Sequence, residues 1–334
     1  MKSRVLSGIR ATGRLHLGNY LGAVKGMLVL QEDPNYETFY MVADLHAITT
    51  PYDPKNLSQN ARSVVIDYLA AGLDPEKSTI FIQSQVKEHI ELAYLFSTIV
   101  SVARMQHLPT FKEKVKQHPE SVTMALLNYP VLMAADILVY KAGLVPVGID
   151  QEPHLEIARE IARKMNDRYG TDFPEPQRFA TPGQYVPSLT GEGKMSKSVE
   201  GSYINLTDSL EEIKAKLAKA PTDEGHGEEV PKDLPAGKAG GGVASLLTFV
   251  ELFQGVDRRR EYEEQYKKAK IKYQNLKEEL AQVIYDEIRP IQEKRRELEN
   301  NPKSVDDAIA DGAARASRVA SQTLQQVKKA MGLS

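Results

Sequence analysis

Short apolar segments alternate with amphipathic helical patterns over the first half of the chain. The segments that predict strands are apolar or rich in β-branched and aromatic residues, and they span 4–9, 38–44, 78–84 and 143–148. Apolar positions recur at helical spacing between them, over 19–30, 55–72, 88–103 and from about 153 to 169. Strands that alternate with helices predict a parallel sheet with right-handed crossovers. We therefore expect an α/β, Rossmann-like fold with ligands beyond the carboxyl ends of the strands.

A change of pattern near residue 200 predicts two domains. Residues 1–200 form the expected parallel-sheet domain, with an insert at about 105–128 and a glycine- and proline-rich loop over 179–203. Further on, helical patterns at 208–220, 243–254, 258–298 and 305–331 predict an all-helical domain over 201–334. Pro290 must begin or kink one of these helices. The glycine- and proline-rich stretch 221–242 predicts a mobile loop.

Composition and charge narrow the possible chemistry. The chain has 334 residues, a net charge of −2 and no cysteine. Thiolate catalysis, disulfides, zinc ribbons and iron–sulfur clusters are thereby excluded, and any contact with nucleic acid must rest on local basic patches. No apolar run approaches the roughly 18 residues of a membrane span, and no secretory signal opens the sequence. We expect a cytoplasmic protein without a membrane partner.

The sharpest chemical signal is the pentapeptide KMSKS at 194–198, which lies in the glycine-rich stretch TGEGKMSKS. Lys194 and Lys197 flank Ser196, so both cations can swing onto a polyphosphate and stabilise the charge that develops as pyrophosphate leaves. Lysine and serine alone are typical of a solvated surface turn. The complete five-residue pattern favours the phosphate-binding interpretation.

A second signal is the stretch GIRATGRLHLGN at 8–19, which joins the first predicted strand to a helix. Unpaired N–H groups and the helix dipole at such a junction favour phosphate. His16 can donate a hydrogen bond to a phosphoryl oxygen, and Gly18 lets a flat base approach the backbone. Alone, this segment is equally consistent with a simple strand–turn–helix connection.

Together, the two motifs resemble the signature sequences of the class I aminoacyl-tRNA synthetases. The closer resemblance is to the tryptophan-specific family, and it covers essentially the whole chain. Its other matching segments are ADLHAIT at 43–49, FIQSQV at 81–86, FKEK at 111–114, YPVLMAADIL at 129–138, VPVGIDQEPHLE at 145–156 and DGAARASRVA at 311–320. The resemblance implies activation of tryptophan by ATP accompanied by Mg²⁺, transfer to tRNA(Trp), and a homodimer.

The run YPVLMAADILVY also carries a signal of its own. Pro130 suits the first turn of a helix, which would place Met133, Asp136 and Tyr140 on one face. An acid in such an apolar run is either satisfied by a structural partner or is an acceptor at the floor of an apolar pocket. An indole offers one N–H donor and no acceptor. Asp136 would then recognise that N–H while Met133 packs against the ring.

The resemblance implies roles for further residues. The catalytic residues implied are His16, Asn19, Lys114, Lys194, Ser196 and Lys197. The ATP-binding residues implied are Arg10, Thr12, Gly18, Asn19, Asp150, Lys194, Met195 and Lys197. The substrate-binding residues implied are Leu6, His46, Tyr129, Met133, Asp136, Val145, Val147 and Gln151. Within these sets, Val145 and Val147 line the indole pocket, Gln151 and Tyr129 hold the substrate ammonium, and Asp150 lies near the ribose. No residue is expected to bind a metal directly.

The chain departs from the family pattern at a few positions. Arg10 and Ala11 stand where relatives often have a polar amide and a proline, and Leu6 stands where an aromatic residue is common. Arg10 adds a cation that could meet either a phosphate or a carboxylate. Some relatives carry an iron–sulfur cluster in the helical domain, and a chain without cysteine cannot hold one.

Other interpretations share part of this pattern. A tyrosine-specific enzyme has the same fold and signatures, although the AADIL and VPVGIDQ strings favour tryptophan. A small-metabolite adenylyltransferase can share the opening motif, but it needs neither a helical domain nor a KMSKS loop. A non-catalytic RNA-binding relative would not need His16, Lys194 and Lys197. The helical domain is expected to read the anticodon, although its stretch 258–299 carries both charge signs and could equally be a solvated surface.

Overall fold

A computed structural model describes residues 2–148, 151–179, 185–197, 199–225 and 241–333. The chain divides into two compact units. The first contains Met1–Gly13, Gly26–Thr181 and Leu298–Ser334, and the second contains Arg14–Lys25 and Pro182–Glu297. None of the helices in these described ranges combines the length and apolar character needed to cross a bilayer.

The first unit is built on a parallel sheet of five strands with the order β3-β2-β1-β4-β5. The strands are β1 (Ser3–Arg10), β2 (Tyr36–Ala43), β3 (Thr79–Ile82), β4 (Leu144–Pro146) and β5 (Gln177–Phe179). β1 and β2 pair along their whole length, from Ser3 opposite Tyr36 to Arg10 opposite Ala43. The expected Rossmann-like α/β class is therefore confirmed. β5 was not predicted, because its three residues QRF are exposed or half-buried and lack an apolar signal.

Helices make up most of the rest of the described chain. In chain order they are α1 (Leu17–Asn19), α2 (Lys25–Glu32), α3 (Asp44–Ala47), α4 (Pro54–Ala70), α5 (Glu88–Ser97), α6 (Val102–Gln106), α7 (Pro109–Gln117), α8 (Met124–Leu138), α9 (Glu152–Tyr169), α10 (Leu210–Ala218), α11 (Gly241–Gln254), α12 (Val256–Lys267), α13 (Tyr273–Asn300) and α14 (Pro302–Ala330). A π-helical turn, Tyr20–Val24, joins α1 to α2, and short 3-10 turns cover Gln83–Gln85 and Pro119–Ser121.

Two stretches that were each predicted as one helix are broken in the structure. The stretch 88–103 forms α5 and α6, because the side chain of Ser101 accepts from the Arg104 N–H and so begins a new helix. The stretch 258–298 forms α12 and α13, with Ala269 between them in the left-handed region at φ +52°. Hydrophobic periodicity continues across both breaks, so it could not reveal them.

Both prolines in helical patterns lie inside helices, which differs from expectation for Pro130 and leaves the expected alternative of a kink for Pro290. Pro130 was expected in the first turn of its helix, but it lies inside α8. That helix begins earlier because the Thr123 side chain caps it by accepting from the Leu126 N–H. Pro290 likewise lies inside α13, well after its first turn. A proline therefore did not mark the start of either helix.

The carboxyl-terminal helix belongs to the first unit, although a helical domain over 201–334 was expected to contain it. α14 lies against β3 so closely that a Cβ on Gly312 would collide with the backbone carbonyl of Ile80. Arg315 of α14 also donates to the carbonyls of Pro75 and Ser78 at 2.5 and 3.1 Å. The helical pattern was read correctly, but it carries no information about which core the helix covers. Most of the predicted mobile segment 221–242 lies outside the described residues.

Candidate active site

A cavity of about 640 Å³ opens in the first unit where β1, β2 and β4 reach their carboxyl ends. The topology of a parallel sheet predicts a ligand site at this edge. The predicted site residues that line the cavity are Leu6, Arg10, His46, Lys114, Tyr129, Met133, Asp136, Val145, Val147 and Gln151. Thr12 follows β1, where its backbone N–H donates to the Arg10 carbonyl at 2.8 Å. Asp150 lies outside the described residues.

Asp136 is held by three donors at the wall of this cavity. His46 Nε2 donates to Asp136 Oδ2 at 2.7 Å. His89 Nδ1 and Gln83 Nε2 donate to Oδ1 at 2.6 and 2.7 Å. Asp136 itself is only 1% exposed. A charged group can remain at such depth only when it is hydrogen-bonded, and these donors meet that requirement.

The environment of Asp136 keeps it ionised. Burial alone would raise the pKa of this carboxyl, but the hydrogen bonds from His46 and His89 outweigh burial and lower the pKa to about 2. Asp136 is therefore a carboxylate acceptor throughout the physiological pH range. Both interpretations of this acid apply in part, since it has structural partners and also faces the cavity.

A second group of polar residues in the cavity is organised by His154. Its Nδ1 donates to Gln151 Oε1 at 3.1 Å, and its Nε2 faces the Tyr129 hydroxyl at 2.8 Å and the Thr110 hydroxyl at 3.1 Å. Burial raises the pKa of Tyr129, so its phenol keeps its proton at neutral pH. Tyr129 and Gln151, which were predicted to act together, are thus joined through one buried histidine.

The same cavity contains two cations close to one another. Arg10 Nη2 donates to Thr50 Oγ1 at 3.1 Å, while its Nε is buried and has no hydrogen-bond partner among the described residues. Lys114 donates to Gln117 Oε1 at 2.9 Å. Burial lowers the pKa of Lys114, and the nearby charge of Arg10 lowers it further. This arrangement offers positive charge to an anion that enters the cavity.

The remaining predicted residues come together in the second unit, although they lie far apart in sequence. The backbone N–H of His16 donates to Asn19 Oδ1 at 3.2 Å. The backbone of His16 also forms an antiparallel bridge with Asn205. A Cβ built on Gly18 would lie 2.9 Å from the His16 ring and 3.2 Å from Met195 Cβ. Only glycine allows this close approach between the two motifs.

His16 is neutral in this setting. Burial lowers its pKa to about 4, and the positive charges of Lys197 and Lys194 act in the same direction. Its Nδ1 is buried without a hydrogen-bond partner among the described residues. At neutral pH the imidazole therefore offers a hydrogen bond rather than a positive charge.

Backbone contacts fix the KMSKS segment beside His16. Lys194 pairs with Pro187 in an isolated bridge, and the Met195 N–H donates to the Val186 carbonyl at 3.0 Å. The Ser196 N–H donates to the Ser202 hydroxyl at 3.3 Å, and Lys197 Nζ donates to the Arg14 carbonyl. Ser198 lies outside the described residues.

Comparison with known proteins assigns this geometry to a family. A family model described as tRNA synthetases class I (W and Y) matches residues 1–287. The chain belongs to this family. This class I synthetase is 42% identical to the tryptophan–tRNA ligase of Caldanaerobacter subterraneus over 99% of its own chain and 98% of the relative. It is 40% identical to the tryptophan–tRNA ligase of Porphyromonas gingivalis, with 98% of both chains covered.

A solved structure is similar along the whole length. Tryptophanyl-tRNA synthetase from Campylobacter jejuni, crystallised in complex with ADP and tryptophan, matches this synthetase with a TM-score of 0.83. The two sequences are 32% identical, and the alignment covers 99% of this chain and all of the other. The expected family is therefore confirmed.

Sequence reasoning missed several residues that shape the site of this synthetase. Gln83 and His89 donate to Asp136, and His154 joins Tyr129 to Gln151. Gln83 and His154 lie in segments that carried the family resemblance, FIQSQV and VPVGIDQEPHLE. The sequence signal that could have singled them out was a polar residue in a segment that begins as a predicted strand. His89 gave none beyond its place near such a segment, whereas Tyr140 was placed on the same helix face as Asp136 without being given a role.

Proposed function

We propose that this synthetase activates tryptophan with ATP and transfers the tryptophanyl group to tRNA(Trp). In the first step, a carboxylate oxygen of tryptophan attacks the α-phosphorus of ATP, and the bond to pyrophosphate breaks. In the second step, a ribose hydroxyl of the terminal adenosine of the tRNA attacks the carbonyl carbon, and AMP leaves. The observation that carries the proposal is an ionised acceptor, Asp136, in the wall of a cavity with apolar sides.

The cavity supports tryptophan as the amino acid. An indole has one N–H donor and no acceptor, whereas a tyrosine hydroxyl also has lone pairs that need donors. The donors around Asp136 are already directed at its carboxylate, so a phenol there would leave its lone pairs unsatisfied, which discriminates strongly in a buried site. Met133, Val145 and Val147 supply apolar contacts to the ring, and Tyr129 and Gln151 bind the ammonium.

Phosphate chemistry is assigned to the cations and to the segment around His16. Lys114, Lys194 and Lys197 stabilise charge that grows on the leaving pyrophosphate, which is electrostatic rather than covalent catalysis. His16 and Asn19 are assigned to phosphoryl oxygens, Gly18 and Met195 to the base, Ser196 to orienting the loop, and Arg10 and Thr12 to binding ATP. Asp150 is assigned to the ribose.

Mg²⁺ is proposed to arrive with ATP as part of the substrate. The described ranges contain no group of three or more histidine or acidic side chains arranged to hold a metal ion. The donors for Mg²⁺ would therefore be phosphate oxygens, which this ion prefers. The chemistry it supplies is charge neutralisation on ATP, and no step is assigned to a metal held by the protein.

The remaining partners follow from the same activity. The second unit is proposed to bind the anticodon through local basic surface, and the enzyme is proposed to act in the cytoplasm as a homodimer. Large apolar side chains on the first unit support the dimer, because Ile90 and Tyr94 of α5 are 53% and 71% exposed. Exposed apolar groups that cluster on one face are typical of an interface between proteins.

The proposal is tested by ATP–pyrophosphate exchange with each of the twenty amino acids in turn. We expect exchange with tryptophan to exceed that with any other by orders of magnitude. Asp136→Asn should lower kcat/KM for tryptophan, with a loss of transition-state stabilisation of about 1–3 kcal/mol, because it removes the charge on the acceptor. Exchange driven by tyrosine would establish the tyrosine-specific alternative, and exchange with no amino acid would reject both.

A further inference from the structure

Behind the cavity, a chain of buried polar groups continues from Asp136 into the core of the first unit. His89 Nδ1 contacts Asp136 Oδ1 at 2.6 Å, and His89 Nε2 contacts the Tyr140 hydroxyl at 2.7 Å. Both His89 and Tyr140 are fully buried, and neither lines the cavity. They cannot touch a substrate there, so any effect on recognition must pass through Asp136.

The number of donors around Asp136 leaves it one acceptor position. An ionised carboxylate offers about four lone-pair sites, two on each oxygen. Gln83 and His89 occupy Oδ1, and His46 occupies one site on Oδ2. The described residues thus leave the second site on Oδ2 for a donor in the cavity. The direction of that site is set by how the carboxylate is turned.

The Asp136 carboxylate requires a hydrogen on Nδ1 of His89, and the Tyr140 hydroxyl can complement that arrangement at Nε2. Burial keeps the pKa of Tyr140 well above its ordinary value, so the hydroxyl keeps its proton at neutral pH and can donate it to Nε2. When the Tyr140 hydroxyl donates to Nε2, that nitrogen is the acceptor and Nδ1 carries the hydrogen that is donated to Asp136. The opposite tautomer would place a lone pair against Oδ1 and repel it. The partner of one ring nitrogen thus fixes the role of the other.

Both residues of this pair are held in place by packing. The Tyr140 ring stacks on Phe39 with centroids 4.5 Å apart and meets Phe81 edge-on at 5.6 Å. His89 lies in the first turn of α5, next to Glu88. The Glu88 carboxylate accepts from Ser317 and Ser321 of α14 at 3.0 and 2.5 Å. Neither ring can turn away without disturbing the core.

We propose that His89 and Tyr140 are positioning residues that orient Asp136, so that its remaining acceptor site meets the ring N–H of the amino-acid substrate. The inference rests on the proposed function, because it assumes an indole in this cavity. His89 supplies the donor to Asp136, and the Tyr140 hydroxyl stabilises the tautomer with its hydrogen on Nδ1 by donating to Nε2. Discrimination for the N–H therefore depends on a hydroxyl that never contacts the substrate.

The test compares tryptophan with its benzothienyl analogue, in which sulfur replaces the ring N–H, by pyrophosphate exchange. Tyr140→Phe keeps the stacked ring and removes only the hydroxyl. We expect it to lower kcat/KM for tryptophan by about three- to tenfold, the usual effect of one hydrogen bond. The change should appear in KM for tryptophan, while KM for ATP and the kinetics of the analogue remain unchanged.

Two variants of His89 separate positioning from folding. His89→Asn retains an N–H donor near the place of Nδ1, so it should behave like Tyr140→Phe. His89→Leu removes the donor, and it should lower the ratio of the two kcat/KM values by about tenfold or more. Tyr40→Phe is the matched control, since the buried Tyr40 hydroxyl donates to the Met27 carbonyl at 2.7 Å and has no contact with this network among the described residues.

The outcomes distinguish the inference from the function on which it rests. If wild type does not activate tryptophan, the proposed function fails. If wild type activates tryptophan and rejects the analogue, but Tyr140→Phe and His89→Leu keep the wild-type ratio, the positioning role is overturned and the function stands. A ratio that falls equally in Tyr40→Phe would also overturn it, because the effect would then be general loosening of the core.

Discussion

At the scale of single residues, the site combines charges that are held by partners with cations that have room for a ligand. Asp136 is ionised and hydrogen-bonded on both oxygens, whereas the buried Nε of Arg10 has no hydrogen-bond partner in the described structure. The first arrangement suits recognition of a neutral donor. The second suits an anion, such as a substrate carboxylate or an α-phosphate. The cavity thus offers one group that suits a neutral donor and another that suits an anion.

The lysines of the KMSKS segment should act on the chemical step. Lys194→Ala and Lys197→Ala should each slow single-turnover adenylate formation by about 10²–10³-fold, as the loss of a transition-state contact typically does. The dissociation constant for tryptophan should remain nearly unchanged, because these charges are proposed to meet the pyrophosphate and not the amino acid. The measurement is rapid quench of ATP consumption beside equilibrium tryptophan binding. The control is Lys267→Ala, because Lys267 is an exposed lysine of the same unit. A rate equal to wild type in both variants would remove these lysines from the mechanism.

The lowered pKa of His16 gives the second unit a predictable response to acid. In the unfolded chain this histidine takes up a proton near pH 6.5, but in the folded protein it does so only near pH 4. The unfolded state therefore binds more protons between these values, and stability must fall as the pH decreases through them. The expected loss is up to about 3 kcal/mol.

His16→Asn should remove this part of the acid sensitivity. The measurement is thermal unfolding of wild type and variant at steps from pH 7.5 to 4.5. We expect the difference between their melting temperatures to change in favour of the variant as the pH decreases. A difference that stays constant over this range would show that His16 has the same pKa in the folded and unfolded states.

At the scale of elements, α14 shows how a helix far along the chain supports the sheet. Gly312 lets it approach the backbone of β3, and Ser317 and Ser321 bind the Glu88 carboxylate at the start of α5. The motif DGAARASRVA therefore has a structural explanation in its spacing, because it directs a small residue, a cation and the Ser317 hydroxyl at one edge of the first unit, and Ser321 follows it directly. Nothing in this explanation requires contact with a substrate.

Gly312→Ala should destabilise the first unit. The new methyl group would collide with the Ile80 carbonyl, and overpacking of this kind costs about 1–3 kcal/mol. Gly143→Ala is the matched control, since a Cβ there meets no atom within 4 Å among the described residues. Urea unfolding of both variants measures the effect. If both variants unfold at the same urea concentration as wild type, the result contradicts the close contact between Gly312 of α14 and the Ile80 carbonyl of β3.

At the scale of the whole molecule, the proposed dimer makes its own prediction. Ile90 and Tyr94 lie four residues apart on α5 and therefore share a face. Tyr94→Glu should place a charge in that interface and shift the sedimenting species from a dimer toward the 37.2 kDa monomer. Val29→Glu is the control, because Val29 is 61% exposed on α2 and should leave the mass unchanged. Wild type that sediments as a monomer would reject the dimer directly.

The sequence by itself determined the family, the α/β class and ten of the residues that line the cavity. These depend on information that is local in the chain. The period of apolar positions separates strands from helices, and the signature motifs keep the residues of each group at fixed short spacing. Asp136 could be singled out because an acid inside an apolar run is conspicuous without any structure.

Tertiary structure alone decided how these groups are completed. Gln83 and His89 lie 53 and 47 residues before Asp136, and no local pattern joins them. Hydrophobic periodicity also could not assign α14 to the first unit, because an apolar stripe shows that a helix face is buried without showing what buries it. Donor networks and close backbone contacts form between distant segments, so their partners are chosen only when the whole core packs.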